Sequence, residues 1–564
     1  MAWYDEAVFY HIYPLGLCGA PKQNTYEEPV HRLRELMGWI EHIKKTGFNA
    51  IYIGPLFESV GHGYETTNYK KLDSRLGDNG DLKDFVKECH AQGIRVIFDG
   101  VFNHTGRDFF AFRDIKANRE NSRYKDWYCN VNFYGNNEYN DGFSYENWGG
   151  YNLLVKLNQH NPEVRDYICE VIRFWVEEFD VDGIRLDAAD VLDFEYMKAM
   201  RRVANEVKPE FWLMGEVIHG DYIRWANADT LHSVTNYHLH KALYSGHNDH
   251  NYFEIAHTVK RLNDMGNLKL YNFTDNHDVE RIYTKLSCKE HYVPVHVLMY
   301  TLPGIPSVYY GSEFGIEGRK EQWSDDSLRP QLALADYADA YTKNACTVLI
   351  AKLGEVRQQT KALSYGDYKE LLLTNRQYAF SRNYEGVSVL VTVNNDDSDY
   401  VMTLPATGAA EYIGALSGKK VTVVNGNIVV NVRANSGEIW VPYAADSAKI
   451  KEAELQEPVE EVVTMETEPA APQDPEAPQG PADSLETTAS ENAPAEEMTE
   501  QAELQKDMPA NADYDAAFQE GRIAGLQEAI LARMEKNGFV TDQMRNDVRN
   551  QTHIPSLINW IKSF

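Results

Sequence analysis

GIRLDA at 183–188 and FWLMGEV at 211–217 are the stretches on which the fold turns. Each is a short apolar run that carries an acidic residue at its end, Asp187 or Glu216, and the two acids stand 29 residues apart. A strand-plus-helix repeat takes on the order of 30 residues, so this spacing is one repeat. Six further runs have the same character: AVFYHIY (7–13), AIYIGPL (50–56), RVIFDG (95–100), TLHSVTNY (230–237), LKLYNF (268–273) and IPSVYYG (305–311). Short continuous apolar runs read as strands buried on both faces, as in parallel sheets. Amphipathic stretches separate most of them, among them DLKDFVKECHAQG (81–93) and PEVRDYICEVIRFWVEEF (162–179), the latter opened by Pro162 where a helix tolerates proline. Eight strands alternating with helices predict an α/β fold, a (β/α)8 TIM barrel, with a doubly wound sheet as the other arrangement this alternation allows.

Other spacings locate what is added to the barrel. Glu216 to Asp278 is 62 residues, two repeats, but Asp99 to Asp187 is 88, too many for one. An inserted subdomain is therefore expected after strand three, at 105–160, between barrel segments 1–104 and 161–356. Its stretch 124–151 carries ten aromatic residues among many Asn and Gly, some of which must form a small core of their own. Loops at this end of a barrel build active sites, so the insertion is expected to wall a cleft. From 357 the pattern becomes short alternating runs such as VSVLVTVNN and EIWVPY, which predict an antiparallel β-sandwich over 357–445. Residues 446–513 contain eight prolines, and 452–513 hold 18 Asp or Glu against one Lys. Such a segment cannot bury enough apolar surface to offset its ordering entropy and is expected to be a disordered acidic linker. The amphipathic pattern returns at DAAFQEGRIAGLQEAILARMEKNG (515–538), so 514–564 is expected to be a small helical module, suited to packing, self-association or partner binding.

Bulk properties exclude some functions. The formal net charge of −30, over half of it from the acidic linker, argues against sequence-independent nucleic-acid binding. No run approaches the roughly 20 apolar residues of a membrane span, so no membrane partner is expected. The start MAWYDE lacks a basic and then apolar leader, and a cytoplasmic location is the expectation. Six cysteines without CxxC spacing read as free thiols, mostly buried, rather than a disulfide framework.

The chemistry gathers where the strands end. Strand three ends Asp99-Gly-Val-Phe-Asn103-His104, strand four Arg185-Leu-Asp187 and strand five Gly215-Glu216, while His277-Asp278 follows strand seven. Carboxylates converging on one barrel rim are what retaining glycoside hydrolysis needs, one to attack the anomeric carbon and one to protonate the leaving oxygen. Arg185, two residues before Asp187, shares its face of the strand, and its fixed charge is expected to keep Asp187 ionised at neutral pH.

DGVFNH, GIRLDAADV, GEV and FTDNHD, in this order and at these intervals, resemble the four signature regions of glycoside hydrolase family 13, the α-amylase superfamily. VKLN (155–158) with NPEVRDY is similar to a fifth, and GIPSVYYGSE (304–313) to the motif at strand eight. The likeness spans about residues 3–445 and is nearest to the neopullulanase, cyclomaltodextrinase and maltogenic amylase group. It implies a hydrolase that cleaves α-1,4 bonds of maltodextrins, cyclodextrins or related α-glucans, with no cofactor required. It also implies Asp187 as nucleophile, Glu216 as acid/base and Asp278 as transition-state stabiliser. His104, His277 and Arg185 would hold substrate or orient Asp187, Tyr64 in HGYETTNY (62–69) would stack on a sugar ring, and Asp99 and Asn103 would be structural neighbours. The chain departs from the group in lacking its N-terminal β-domain, in LVKLN for MPKLN and in Ile184 for Trp. Calcium, which Asn103 helps bind in amylases, is not favoured, because the position four after Asp187 is Val191; no metal ligand is assigned. Transglycosylation or isomerisation of sucrose- or trehalose-type sugars shares the same acid set and stays open.

Overall fold

A computed structural model describes residues 2–266, 268–322, 324–443 and 548–549. The linker expected at 446–513 and, but for residues 548–549, the module expected at 514–564 lie outside them. Every element named below belongs to the first of two compact units, Met1–Val459 and Glu460–Phe564.

Eight parallel strands form one sheet: β1 Phe9–Ile12, β2 Ala50–Ile53, β3 Arg95–Gly100, β4 Gly183–Leu186, β5 Trp212–Gly215, β6 Ser233–Val234, β7 Tyr271–Phe273 and β8 Ile305–Tyr309. Each falls within one of the eight apolar runs. Their order is β6-β5-β4-β3-β2-β1-β8-β7, so the seam lies between β6 and β7. A single parallel bridge, Thr235 with Tyr271, closes it. The Asn236 N–H donates to the Tyr271 carbonyl at 2.9 Å and its side-chain amide to Asn272 Oδ1 at 2.8 Å. The result is the TIM barrel that the alternation predicts.

Residues alternate along each strand between the barrel interior and the helices outside. Phe9, Ala50, Ile97, Trp212, Met214, Tyr271 and Phe273 form an interior apolar cluster, with Trp212 stacked on Phe9 at 5.2 Å and on Tyr4 at 5.8 Å. Gly183 makes room for this plug, since a Cβ there would lie 2.4 Å from the Trp212 carbonyl oxygen. Two residues further along, inward positions turn polar at His11, Tyr52, Asp99 and Arg185, all buried. Outward residues such as Val8, Ile51, Val96, Phe98, Ile184 and Leu213 belong to the main core beneath the helices.

Helix ends follow local chemistry. Asn161 accepts from the Glu163 N–H at 2.9 Å, Pro162 opens the helix Pro162–Phe179, and Asp180 ends it in a left-handed conformation. Asp78 and Asp81 make a reciprocal cap on Asn79–Ala91. The helix Tyr292–Thr301 is buried all round and shows no amphipathic period, because it lies between the barrel and the C-terminal sheet.

The insertion forms a three-stranded antiparallel sheet of His104–Thr105, Tyr151–Lys156 and Asn147–Trp148. Trp127, Tyr128, Phe143 and Tyr145 are buried, whereas Tyr134, Tyr139 and Tyr151 are exposed. The expected boundary at 357 falls inside the helix Ala345–Gln359, and a short helix Lys361–Tyr365 follows before the antiparallel domain begins. That domain has a sheet of six strands, β9 Asp367–Leu373, β10 Gln377–Tyr384, β11 Val387–Asn394, β16 Ser436–Tyr443, β13 Glu411–Gly414 and β14 Lys420–Thr422 in spatial order. A second pair, β12 Tyr400–Pro405 with β15 Asn427–Val432, faces it. Met402, Leu404, Tyr412, Ile428, Val430 and Trp440 fill the space between. Arg382 and Arg357 tie this end of the chain to the barrel by donating to the carbonyls of Thr301 at 2.6 Å and Tyr300 at 2.7 Å, at the end of the buried helix.

At the opposite barrel mouth, Asp182 immediately precedes β4. It accepts from His90 Nε2 at 2.7 Å, Arg95 Nη1 at 2.9 Å and the Val96 N–H at 2.9 Å, and pairs with Lys208 Nζ at 2.9 Å. Burial pushes its carboxyl up, but these donors outweigh it and bring the pKa down to about 2. The six cysteines are unpaired; Cys18, Cys89 and Cys169 are buried and Cys129, Cys288 and Cys346 partly exposed. Among the described residues no helix is long and apolar enough to cross a membrane.

Candidate active site

The rim residues are placed by the strand ladder itself. Asp99 lies beside Arg185 in the β3–β4 register, and Arg185 beside Met214 in the β4–β5 register. One residue beyond the strands the ladder continues, with the Asp187 N–H donating to the Gly100 carbonyl at 3.1 Å and the Glu216 N–H to that of Leu186 at 2.9 Å. Gly54 permits the close approach of β2's end, since a Cβ there would lie 2.2 Å from that of Asp99.

One guanidinium organises three carboxylates. Arg185, 3% exposed, donates from Nη1 to Asp99 Oδ1 at 2.8 Å and to Asp187 Oδ1 at 3.0 Å, while Nη2 lies 2.8 Å from Glu216 Oε2. The Ala188 N–H also reaches Glu216 Oε2, at 3.1 Å, from a left-handed backbone with φ 46° that a non-glycine residue seldom adopts. Asp99 Oδ2 accepts from Tyr52 at 2.8 Å and from Tyr64 at 3.2 Å. The other oxygen of Glu216 lies 3.4 Å from the Tyr237 hydroxyl, which accepts from the Asn276 amide at 3.2 Å.

A second arginine serves the fourth carboxylate. Arg329 donates from Nη2 to Asp278 Oδ1 at 2.8 Å and Asp325 Oδ2 at 3.0 Å, and from Nε to the His277 carbonyl at 3.0 Å. The other oxygen of Asp278 is 3.0 Å from His277 Nε2, which also meets the Tyr64 hydroxyl. The His277 ring lies parallel to those of Tyr64 at 5.7 Å and Tyr13 at 5.9 Å.

The two aspartates titrate in opposite directions. Burial pushes Asp187 well above the usual carboxylate range; Arg185 pulls it down, but Glu216, Asp99 and Asp278 add to the rise. Arg185 is the counter-charge expected beside Asp187, but it is divided among three carboxylates, so its pull is opposed by burial and by the neighbouring acids. Burial also raises Asp278, yet His277 and then Arg329 hold it well below the usual range.

His104 is neutral, brought down to about 4 by burial, with Nε2 donating to the Tyr64 carbonyl at 3.1 Å and Nδ1 facing the Asn103 amide at 3.2 Å. Asn103 is fully buried, and its Oδ1 accepts from the Gln159 amide at 3.0 Å; Gln159 in turn accepts from the Asp193 N–H at 2.6 Å. That oxygen is engaged by an amide, and Val191 is an exposed apolar side chain, so these residues fit a calcium ion poorly. Among the described residues the grouping with metal-compatible spacing, His31, Asp78 and Asp81, sits at the start of the helix Asn79–Ala91, and Arg34 already donates to Asp81.

All nine residues singled out from the sequence thus belong to one connected rim: Tyr64, Asp99, Asn103, His104, Arg185, Asp187, Glu216, His277 and Asp278. Tyr52, Tyr237, Asn276 and Arg329 join them without having been singled out. Tyr52 and Asp99 stand at inward positions of neighbouring strands, which alternation could have revealed. Tyr237 lies in TLHSVTNY and Asn276 in FTDNHD, whereas Arg329 follows an irregular loop with no periodic signal.

Comparison with known proteins agrees with this architecture. The family model of the α-amylase catalytic domain matches residues 32–361. A cyclomaltodextrinase of Thermoanaerobacter pseudethanolicus is 31% identical over 71% of the chain and 72% of its own length. An intracellular maltogenic amylase of Bacillus subtilis is 30% identical over 51% of the chain and 50% of its own length. The solved structure of a cyclomaltodextrinase superposes with a TM-score of 0.69 at 25% identity, covering 78% of each chain. Fold, rim and relatives agree that this chain belongs to the α-amylase family, glycoside hydrolase family 13, and is an O-glycosyl hydrolase.

Proposed function

We propose that the enzyme hydrolyses α-1,4-glucosidic bonds of maltodextrins, cyclodextrins or related α-glucans with retention of configuration. The observation that carries this reading is the single Arg185 guanidinium touching Asp99, Asp187 and Glu216 at three successive strand ends. Two carboxylates that contact one guanidinium favour the short separation of retaining enzymes over the wider one that admits a water between them. Asp187 attacks the anomeric carbon and forms the covalent glycosyl intermediate. Glu216 protonates the leaving oxygen and then draws the proton from the incoming water. Its Oε2 is held by Arg185 and the Ala188 N–H, which leaves Oε1, beside Tyr237, as the oxygen that carries the proton. The step needs the proton on Glu216 and Asp187 as the free carboxylate; the proton passes to the leaving oxygen as Asp187 attacks. Asp278, kept ionised by His277 and Arg329, offsets the charge of the oxocarbenium-like transition state. Tyr64, His104 and His277 line the position of the attacked sugar. No calcium ion enters the scheme, and an intracellular setting is supported by the name of the Bacillus subtilis relative.

Product analysis on maltotriose, cyclodextrin, pullulan, sucrose and trehalose tests the substrate, and NMR of fresh product tests the stereochemistry. Maltodextrin or cyclodextrin cleavage with α-anomeric product is expected. Turnover confined to sucrose or trehalose, with sugar transfer in place of hydrolysis, would replace this reading by a transglycosylase or isomerase.

A further inference from the structure

A groove of about 430 Å³ opens beside the hairpin Phe57–Ser59 and Thr66–Leu72, whose connecting loop carries Tyr64. Its lining includes Tyr26, Glu58, Asn68 and Lys71 on one part and Asp108, Phe110, Arg113 and Tyr167 on another. None of these belongs to the rim described above. The volume lies within the range of small-ligand sites.

The lining has two properties that together specify a ligand class. The charges of its lining balance: Glu58 and Asp108 stand with Lys71 and Arg113, Glu58 pairs with Lys71 at 2.5 Å, and the Arg113 side chain is exposed. A strongly charged ligand therefore gains little here, whereas carboxylate, amide and guanidinium groups suit a neutral molecule rich in hydroxyls. Aromatic rings supply the rest. Phe110 and Tyr167 pack edge to face at 5.6 Å and are partly exposed, and Tyr26 is 41% exposed. Tyr26 has φ 57°, a left-handed conformation that a bulky residue seldom adopts, so the backbone presents this ring at some conformational cost. Apolar ring faces beside hydrogen-bonding groups match a pyranose, which has an apolar C–H face and a hydroxyl rim.

We propose that this groove is a second α-glucan-binding site that holds part of a long chain away from the reacting bond. The ligand class rests on the α-glucan reading of the rim; the place and the neutrality of the site do not. Calorimetric titration of full-length Asp187→Asn protein with maltoheptaose is expected to resolve two sites. Adding Tyr26→Ala is expected to weaken one of them about tenfold or more and leave the other unchanged. Arg113→Ala, on the helix Phe110–Asn118, is expected to weaken the same site, and melting temperatures check that each variant folds. A single site in the Asp187→Asn protein, or two sites indifferent to both added substitutions, overturns the proposal while leaving the rim's reading in place. No maltoheptaose binding at any site overturns both, and that outcome is distinct from the others.

Discussion

Strand β4 has an aspartate at each end, and the two live under opposite electrostatics. Asp182, before the strand, is surrounded by His90, Arg95 and Lys208, and its pKa falls to about 2. Asp187, after the strand, shares one arginine with Asp99 and Glu216, and its pKa rises well above the usual range. Four residues separate them, Gly183–Leu186, all buried. The difference shows how a barrel divides its labour: one mouth surrounds its aspartate with cations, while the other gathers like charges and holds them in place through the strand ladder.

The largest effect expected from this contrast is on catalysis. Asp187→Asn or Glu216→Gln should each lower turnover about 10³-fold or more, since both are near-isosteric and remove only the reacting group. A variant of either that kept a tenth of the native rate would take that residue out of the chemistry. Asp182→Asn should do the reverse, leaving turnover per folded molecule unchanged and costing about 2 kcal/mol of stability in urea denaturation. Because the folded pKa of Asp182 lies below the unfolded value, its contribution is complete above about pH 4 and lost as pH falls toward 2. The cost of Asp182→Asn should therefore fade over that same acid range; a cost constant with pH contradicts the charge network.

Asp187→Asn has a second, smaller consequence. Its folded pKa lies above the unfolded one, so the cost of the native carboxyl is absent below about pH 4, grows as pH rises from there and is complete above the folded value. The variant should be more stable than the native enzyme at neutral pH, by on the order of 1 kcal/mol, with no gain below about pH 4. Destabilisation at pH 7 would show that Arg185 needs the charge it was given. Asp278→Asn supplies the smallest effect and the opposite sign. Its depressed pKa predicts a loss above about pH 4 that vanishes as pH falls, held to roughly 0.5 kcal/mol because its side chain is 34% exposed and solvent screens the pair. Thermal melts of both variants at two pH values check the pair of signs together.

The sequence carried the strands well, because a strand buried on both faces must be apolar along its whole length. It carried the acids for the same reason, as polar residues that break such runs at their ends. It carried Arg329 poorly, since a residue that reaches the rim from an irregular loop leaves no period behind. The helix Tyr292–Thr301 leaves no amphipathic signal, because it is buried on nearly all sides. The titration of Asp187 could not be read from spacing at all: the neighbouring arginine was visible, but not the number of carboxylates that share it.

The seam between β6 and β7 has a kinetic consequence. One parallel bridge, two Asn236 hydrogen bonds and one from the Ser233 hydroxyl to the Lys269 carbonyl span this joint, against three- or four-residue registers between most other neighbouring strands. Amide hydrogens at Thr235–Tyr237 are therefore expected to exchange with solvent deuterium faster than those of β1 to β4, through openings confined to this joint. Tyr237 and Asn276 lie just past its two sides, with the Asn276 amide donating to the Tyr237 hydroxyl beside Glu216 Oε1, so each opening would momentarily separate Glu216 from this pair. If the proposed glucan substrate spans the two sides of this joint, slower exchange at Thr235–Tyr237 would be its footprint on the barrel.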